Sequence, residues 1–298
     1  MSGARVVVTG ASGFLGRRAV QRLARGHDVI AHSRAGGVAA PAVSVVQGDL
    51  GAGWTAALPE RADVVVWLAQ SRRYREFPAG AEDMFKVNVA ALFEALEWAR
   101  QSGVRRFIHA STGSVYTPGG GPVAEDAPVA AATFYAATKL NAEQLARQYA
   151  GCFEVVAGRI FGMYGPGQAD MAIARVIDAA AGGEPVRLRG GIGMELTPLF
   201  VDDAAEILAA LVDVALPENS LVLNLAGPEA TTLAEIAAMA AACSGREARL
   251  VAEAGEPARL VADTSRLRAL LPHMAFHSLA AGIAATVAAR GAAEHRSG

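Results

Sequence analysis

The sequence has 298 residues, a formal net charge of -2 and 52% hydrophobic residues. Charge this close to neutral gives no electrostatic case for nucleic acid or an anionic membrane surface, and no run of about 18 apolar residues is present to span a bilayer. A strand pattern begins at Val6 with no signal peptide ahead of it, so a cytoplasmic α/β protein with a sizeable core is expected, in which Cys152 and Cys243 are small buried hydrophobes without metal-ligand spacing.

Val6-Val7-Val8-Thr9 is a β-branched run that stops at a glycine, as a buried strand does. Gly10, Gly13 and Gly16 follow in the spacing G-x-x-G-x-x-G, and Phe14, Leu15, Ala19, Val20, Leu23 and Ala24 recur at helical intervals. Strand, glycine turn and helix in that order aim backbone N–H groups and a helix N-terminus at one point, which suits a pyrophosphate. The alternative is an ordinary glycine-rich turn. A proper strand before it and a helix after it supply the context that dinucleotide binding demands.

A second strand, Val29 to Ala31, follows Asp28, which reads as a turn residue. It closes on His32-Ser33-Arg34 where the NAD fingerprint closes on an acid. A hydroxyl and a cation there suit a 2′-phosphate, with Arg17 adding charge, so NADP is the expected cofactor and NAD the alternative. Val43 to Val46 is a third strand ending in Gly48-Asp49-Leu50, and Asp63 to Ala69 a fourth, apolar enough to be buried on both faces. A helix over Met84–Gln101 presents Phe85, Val89, Leu92, Phe93, Leu96 and Trp98 as its buried side. A fifth strand, Arg106 to Ala110, ends in Ser111-Thr112. Strands and helices alternating at this pitch imply a doubly wound parallel sheet, with Gly10, Arg34, Asp49, Ala69 and Ser111 lining one cleft at the carboxyl ends of the strands.

Residues 118–128 read as a loop, Phe134 to Ala150 as a long helix and Phe153 to Arg159 as a strand. Tyr164-Gly165-Pro166-Gly167 is a turn between the sheet and a second lobe. Thr197 to Val201 and Val222 to Ala226 are strands, and Asp202 or Asp203 caps a helix over Ala204–Val214. Thr232 precedes a helix over Leu233–Cys243, and the remainder reads as alanine-rich helix fraying near Arg290. The expected organisation is a Rossmann domain of residues 1–162 plus about 197–226, with residues 163–196 and 227–298 forming a smaller, mainly C-terminal substrate lobe.

Tyr135 and Lys139 stand four apart and share one helix face. An ammonium beside a phenol lowers its pKa, so the tyrosine can take a proton from an alcohol or return one to a ketone. Only Lys86 and Lys139 among the 27 Lys+Arg residues are lysine, which singles out Lys139 as a place where a guanidinium does not serve. Lys86 reads as a surface charge. Ser111 and Thr112 offer hydroxyls at a strand end, where such residues also commonly cap turns. His273 and His277 are spaced four apart without helpful carboxylates and read as a surface pair, so no metal is expected.

As a set these features resemble the extended short-chain dehydrogenase/reductase family, the NAD-dependent epimerases and dehydratases, over roughly the whole chain. The carriers are Thr9-Gly10-Ala11-Ser12-Gly13-Phe14-Leu15-Gly16, Gly48-Asp49-Leu50, Leu68-Ala69 and Asn88-Val89. To these add Ala110-Ser111-Thr112-Gly113-Ser114-Val115-Tyr116, Tyr135 to Glu143, Tyr164-Gly165-Pro166-Gly167 and Val201-Asp202-Asp203-Ala204. The resemblance implies Thr112 as the catalytic hydroxyl, Tyr135 as acid and base, and Lys139 as the ribose-binding lysine. Gly10, Gly13, Phe14, Leu15 and Gly16 would hold the pyrophosphate half, Arg34 the adenosine ribose, and Asp49 and Leu50 the adenine. Leu68, Ala69, Gln70, Ala110 and Ser111 would lie along the nicotinamide half, and Asn88 would be a supporting polar residue.

Departures from the family pattern bear on substrate. Gly113-Ser114 replaces the Asp-Glu pair of dehydratases, which argues against elimination. Gly162 stands where nucleotide-sugar epimerases usually have asparagine, and Leu196-Thr197-Pro198-Leu199-Phe200 lacks their diphosphate-binding arginine, for which Arg187 and Arg189 are possible substitutes. The resemblance implies hydride transfer at a carbinol or ketone carbon of a nucleotide-sugar, as a 4-epimerase or 4-ketoreductase. An NADP preference favours net reduction. Alternatives are a reductase or dehydrogenase of a small non-nucleotide ketone or alcohol, and a dinucleotide-sensing regulatory protein. The family also implies a homodimer packed through helices 84–101 and 135–150.

Overall fold

The computed structural model describes residues 3–34, 36–37, 43–51, 53–117, 119–169 and 171–297. In chain order they form β1 (Arg5–Thr9), α1 (Phe14–Leu23), β2 (Asp28–Ser33), β3 (Val43–Gln47), β4 (Val64–Trp67), α2 (Ala81–Phe85), α3 (Ala91–Gln101), β5 (Arg106–Thr112), α4 (Phe134–Arg147), β6 (Glu154–Ile160) and β7 (Met163–Tyr164). There follow α5 (Ala172–Gly182), β8 (Val186–Arg189), β9 (Met194–Leu196), β10 (Leu199–Phe200), α6 (Val201–Asp213), β11 (Ser220–Leu225), β12 (Thr231–Thr232), α7 (Leu233–Cys243), β13 (Leu250–Glu253), β14 (Ala258–Leu260), α8 (Ser265–Leu270) and α9 (Leu279–Ser297).

Seven strands pair in parallel in the order β11-β6-β5-β4-β1-β2-β3. Alternate side chains feed two cores. Val6, Val8, Val64, Val66, Ile108 and Val156 pack with α1 and α6 through Val20, Leu23, Ile207 and Leu211. Val7, Val65, Trp67, Phe107 and Val155 pack with α3 and α4 through Leu92, Leu96, Ala142 and Ala146. Burial on both faces is why these strands are continuous apolar runs rather than alternating ones. Chain order reverses between β1 and its neighbours β2 and β4, which opens a crevice beyond their carboxyl ends. A third core, built from α5, α7 and α9 through Ile177, Ile236 and Ile283, takes in β8 and β9, on which β13, β12 and β14 pair. α8 returns to the first core and buries Leu267 there. No described helix is long and apolar enough to cross a membrane.

Several local expectations are overturned. The helix expected over Met84–Gln101 is broken by a π turn at Lys86–Ala90, whose wider turn rotates the faces before and after it out of register. Phe85, placed on the buried side from the sequence, is 56% exposed, and Phe93, 48% exposed, lies off the α3 face that buries Leu92, Ala95, Leu96 and Ala99. Helix α6 begins at Val201, so Asp202 and Asp203 lie in its first turn and neither is a cap; Phe200 holds that position without a side-chain bond. The segment after Cys243 is not all helix, because β13 pairs with β8 and β14 with β9 across long separations. Cys152 and Cys243 are exposed rather than buried, since one lies in the turn after α4 and the other in the last turn of α7. The expected capping of α7 does form: Thr232 and Glu235 exchange the reciprocal bonds of a capping box. Leu96→Ala, at a fully buried position between α3 and the sheet, should cost about 2–5 kcal/mol of stability, measured by denaturant unfolding.

Candidate active site

The glycine turn is made by close backbone approach. Gly10 has φ +66°, and a Cβ there would lie 2.9 Å from the Ala69 nitrogen. A Cβ on Gly16 would come within 2.1 Å of the Gly10 carbonyl oxygen, and one on Gly13 within 3.0 Å of the same atom. The Thr9 hydroxyl accepts from the backbone of Leu68 at 3.2 Å and Ala69 at 3.3 Å, which ties the ends of β1 and β4 together. No acidic side chain occupies the first turn of α1, so its amides and positive end remain available to an anion. Phe14 and Leu15 anchor that turn in the first core. These residues fit a dinucleotide pyrophosphate.

At the closing end of β2, His32 is buried edge-on against Trp54 at 4.9 Å, and burial holds its pKa below the usual value against the charge of Asp49. The Ser33 hydroxyl donates to the Gly36 carbonyl at 3.1 Å, and Arg34 is exposed. Arg17, expected to add charge here, donates through Nε to the Ser12 carbonyl at 3.0 Å. Asp28 is a strand residue rather than a turn residue: it begins β2 and accepts from Arg5 Nε at 2.7 Å. Asp49 is exposed and accepts from the backbone of the buried Leu50 at 2.9 Å.

Thr112 ends β5, and its hydroxyl accepts from the Ser114 N–H at 3.2 Å. Thr133 caps α4 through a 3.1 Å bond from the Ala136 N–H, which places Tyr135 in the first turn, over the strand ends. The Tyr135 hydroxyl donates to Gln70 Oε1 at 3.2 Å and shares a hydrogen bond with Thr112. Lys139 is buried one turn further on and donates to the Ala110 carbonyl. Burial lowers its pKa to about 8, opposed by the charge of Glu143.

The expected lowering of the phenol does not occur in the free chain. Burial raises Tyr135 to about 12, the Thr112 hydrogen bond opposes that, and Tyr74 adds to it. Desolvation of the phenolate is the dominant cause, and Lys139 is not among the groups that shift the phenol. The Ser111 hydroxyl, at the end of β5, donates to Glu143 on the inner face of α4.

Asn88 sits in the π turn, fully engaged. Its Oδ1 accepts from the Ser71 N–H at 2.9 Å and its Nδ2 donates to Thr138 Oγ1 at 3.0 Å, while Thr138 donates to the Tyr135 carbonyl at 2.8 Å. It thereby joins the loop after β4 to the helix that carries the tyrosine.

Sequence reasoning missed that loop. Tyr74 lies 5.4 Å from Tyr135 between ring centres and donates to Met171 Sδ at 2.9 Å, at the start of α5. Phe77 stacks on Phe134 at 5.3 Å. An arginine- and aromatic-rich run at a strand's carboxyl end was the available signal. His277, expected in a surface pair with His273, is exposed and pairs through Nδ1 with the buried Asp203 at 2.6 Å. Among the described residues no cluster of three His, Cys, Asp or Glu could hold a metal. Arg187 and Arg189 are the exposed positions of β8.

The model of the NAD dependent epimerase/dehydratase family matches residues 6–226. The uncharacterized UDP-glucose epimerase YtcB of Bacillus subtilis is 30% identical over 67% of this chain, a match spanning 65% of that protein, just under two thirds of its length. A probable UDP-glucuronate 4-epimerase of Rhizobium meliloti is 28% identical over 76% of this chain and 72% of its own. Among solved structures, MoeE5 in complex with UDP-glucuronic acid and NAD is 29% identical with a TM-score of 0.85, covering 97% of this chain and 99% of that one. The UDP-glucuronic acid 4-epimerase of Bacillus cereus, in complex with UDP-glucuronic acid and NAD, is 25% identical with a TM-score of 0.87 at the same coverage. Since one family model spans the sheet from its first strand to just past its last, the chain belongs to the NAD dependent epimerase/dehydratase family.

Proposed function

We propose that this chain is a cytoplasmic, nicotinamide dinucleotide-dependent 4-epimerase of a UDP-sugar. The observation that carries it is the meeting of Tyr135, Thr112 and Gln70 at the end of β5, with Lys139 buried behind the phenol and the glycine turn beside it. The 4-epimerases among its relatives and structural neighbours support that choice within the family.

The turn from Gly10 to Gly16 would hold the pyrophosphate, Leu68 and Ala69 would floor the crevice, and Asp49 and Leu50 would hold the adenine. Ser33 and Arg34 would face the adenosine ribose, and Lys139 the nicotinamide ribose. When bound, the dinucleotide supplies the hydride acceptor and donor. Tyr135 moves a proton at the oxygen of the reacting carbon, and Thr112 holds that same oxygen. Gln70, which occupies the phenol in the free chain, must yield it to substrate. With its pKa near 12 the phenol keeps its proton at neutral pH, so acting as a base requires positive charge beside it, and Lys139 is placed to supply it. Of the two cofactor forms we favour NADP, because an exposed arginine and a serine close β2 where an acid would select a 2′-hydroxyl. That end of β2 also favours a second reading, a net reductase, and Gly162 with the missing arginine before Val201 favours a small non-nucleotide ketone as its substrate. The exposed Phe85 and Phe93 on α2 and α3 support a homodimer built through that face.

Incubation with UDP-glucose or UDP-glucuronic acid and each oxidised dinucleotide should yield the C4 epimer by proton NMR. The absence of both an epimer and any reduction of 4-keto sugars by reduced cofactor would sink the proposal. Tyr135→Phe should lower turnover about 10²–10⁴-fold with cofactor affinity nearly unchanged in a fluorescence titration. Lys139 acts as a cation whose pKa is lowered to about 8, so kcat/KM should fall as pH rises through about 8, read from a pH–rate profile. Phe93→Glu should give a monomer by light scattering.

A further inference from the structure

Glu143 lies one turn beyond Lys139 on the inner face of α4, and both are buried. A buried carboxylate beside a buried ammonium has strong reason to close on it. Here it is committed elsewhere. Arg159 stands directly opposite Ser111 in the pairing of β5 with β6. It meets Glu143 with two prongs, Nη2 to Oε2 at 2.7 Å and Nε to Oε1 at 3.1 Å, while the Ser111 hydroxyl donates to the same Oε1. The guanidinium is held in turn, 4.7 Å over the Tyr116 ring and donating through Nη1 to the Glu125 carbonyl at 3.2 Å. Lys139 reaches away from this pair, to the Ala110 carbonyl near the strand end.

We propose that Arg159 is a positioning residue for the Tyr135–Lys139 pair: by closing on Glu143 it keeps that carboxylate from capturing the Lys139 ammonium, which stays turned to the strand end where phenol and substrate meet. The role rests on the functional reading above.

The groups around Lys139 agree with it. On its own helix it faces Tyr135 and Glu143. From β5 it faces His109, which is fully buried, has no partner at either ring nitrogen and is held neutral by burial and by the lysine charge. The π turn contributes Asn88, which is uncharged and engaged with Thr138. Glu143 is thus the one group among these that favours the charged lysine, and it is the group that Arg159 binds. Freed from Arg159, the carboxylate should bind the ammonium and raise the pH at which it loses its proton. An apolar or merely structural role for Arg159 would change stability and leave that midpoint where it is.

Because the chain has two lysines, the full-length protein labelled with [13Cε]-lysine gives two NMR signals besides background, with the exposed Lys86 as an internal reference. Arg159→Met should raise the Lys139 midpoint by about one pH unit with Lys86 unmoved. Arg159→Lys should stay near the parent, and Glu143→Gln alone should lower the midpoint. In the Glu143→Gln background the Arg159→Met change should vanish, and the alkaline limb of kcat/KM should move with each NMR midpoint. A Lys139 midpoint unmoved in folded Arg159→Met, or a change that persists without Glu143, overturns the proposal. If Arg159→Met fails to fold, an unmoved midpoint in Glu143→Gln overturns it instead. The titration needs no substrate, so a protein without epimerase activity still decides the question, and the two readings fail separately.

Discussion

The inner face of α4 carries charge where a core helix normally carries apolar side chains, and the site depends on how that charge is accommodated. Lys139 and Glu143 are both withdrawn from water against the ends of β5 and β6. Each loses hydration that only close, well-directed partners can replace. The Ala110 carbonyl serves the ammonium, and Ser111 with Arg159 serves the carboxylate. The compact ammonium of a lysine suits this slot better than a forked guanidinium, which fits one lysine persisting there in a chain that otherwise writes positive charge as arginine.

The same helix carries Tyr135 in its first turn, so the burial that stabilises the fold also sets the chemistry. Desolvation keeps the phenol protonated and weakens the hold of Lys139 on its own proton. The pair is therefore arranged to respond to charge and oxygen atoms brought alongside it. Asn88 and Thr138 lock the helix to the loop after β4, and that loop reaches through Tyr74 to Met171 at the start of α5. The Tyr135 phenol is thus framed by the sheet, a π turn and the loop after β4 at once.

Much of this was legible in the residues. The strand, glycine turn and helix at the start of the chain involve neighbours in sequence, and their spacing alone implies a close backbone approach that Gly10 and Gly16 then make. The four-residue interval from Tyr135 to Lys139 likewise puts them on one face of any helix. Less legible was what each face meets. Phe85 and Phe93 look like core residues until α2 and α3 turn Met84, Leu92 and Leu96 inward instead, and the Ser111 hydroxyl is bound by Glu143, a partner 32 residues away. Strands β13 and β14 escaped notice because their partners, β8 and β9, lie some 60 residues earlier, so no local pattern marks them.

By itself the sequence determined the parallel doubly wound architecture, the glycine cradle and the placing of Tyr135 and Lys139 on one helix face, since these follow from short-range periodicity and from backbone geometry that only glycine permits. Only the tertiary structure decided the direction of the Tyr135 pKa, the engagement of Glu143 by Arg159, the capture of the phenol by Gln70 and the loop that spans to Met171. Burial and electrostatic balance are sums over groups that the fold brings together from distant parts of the chain, and neither sign nor partner can be read from one segment alone.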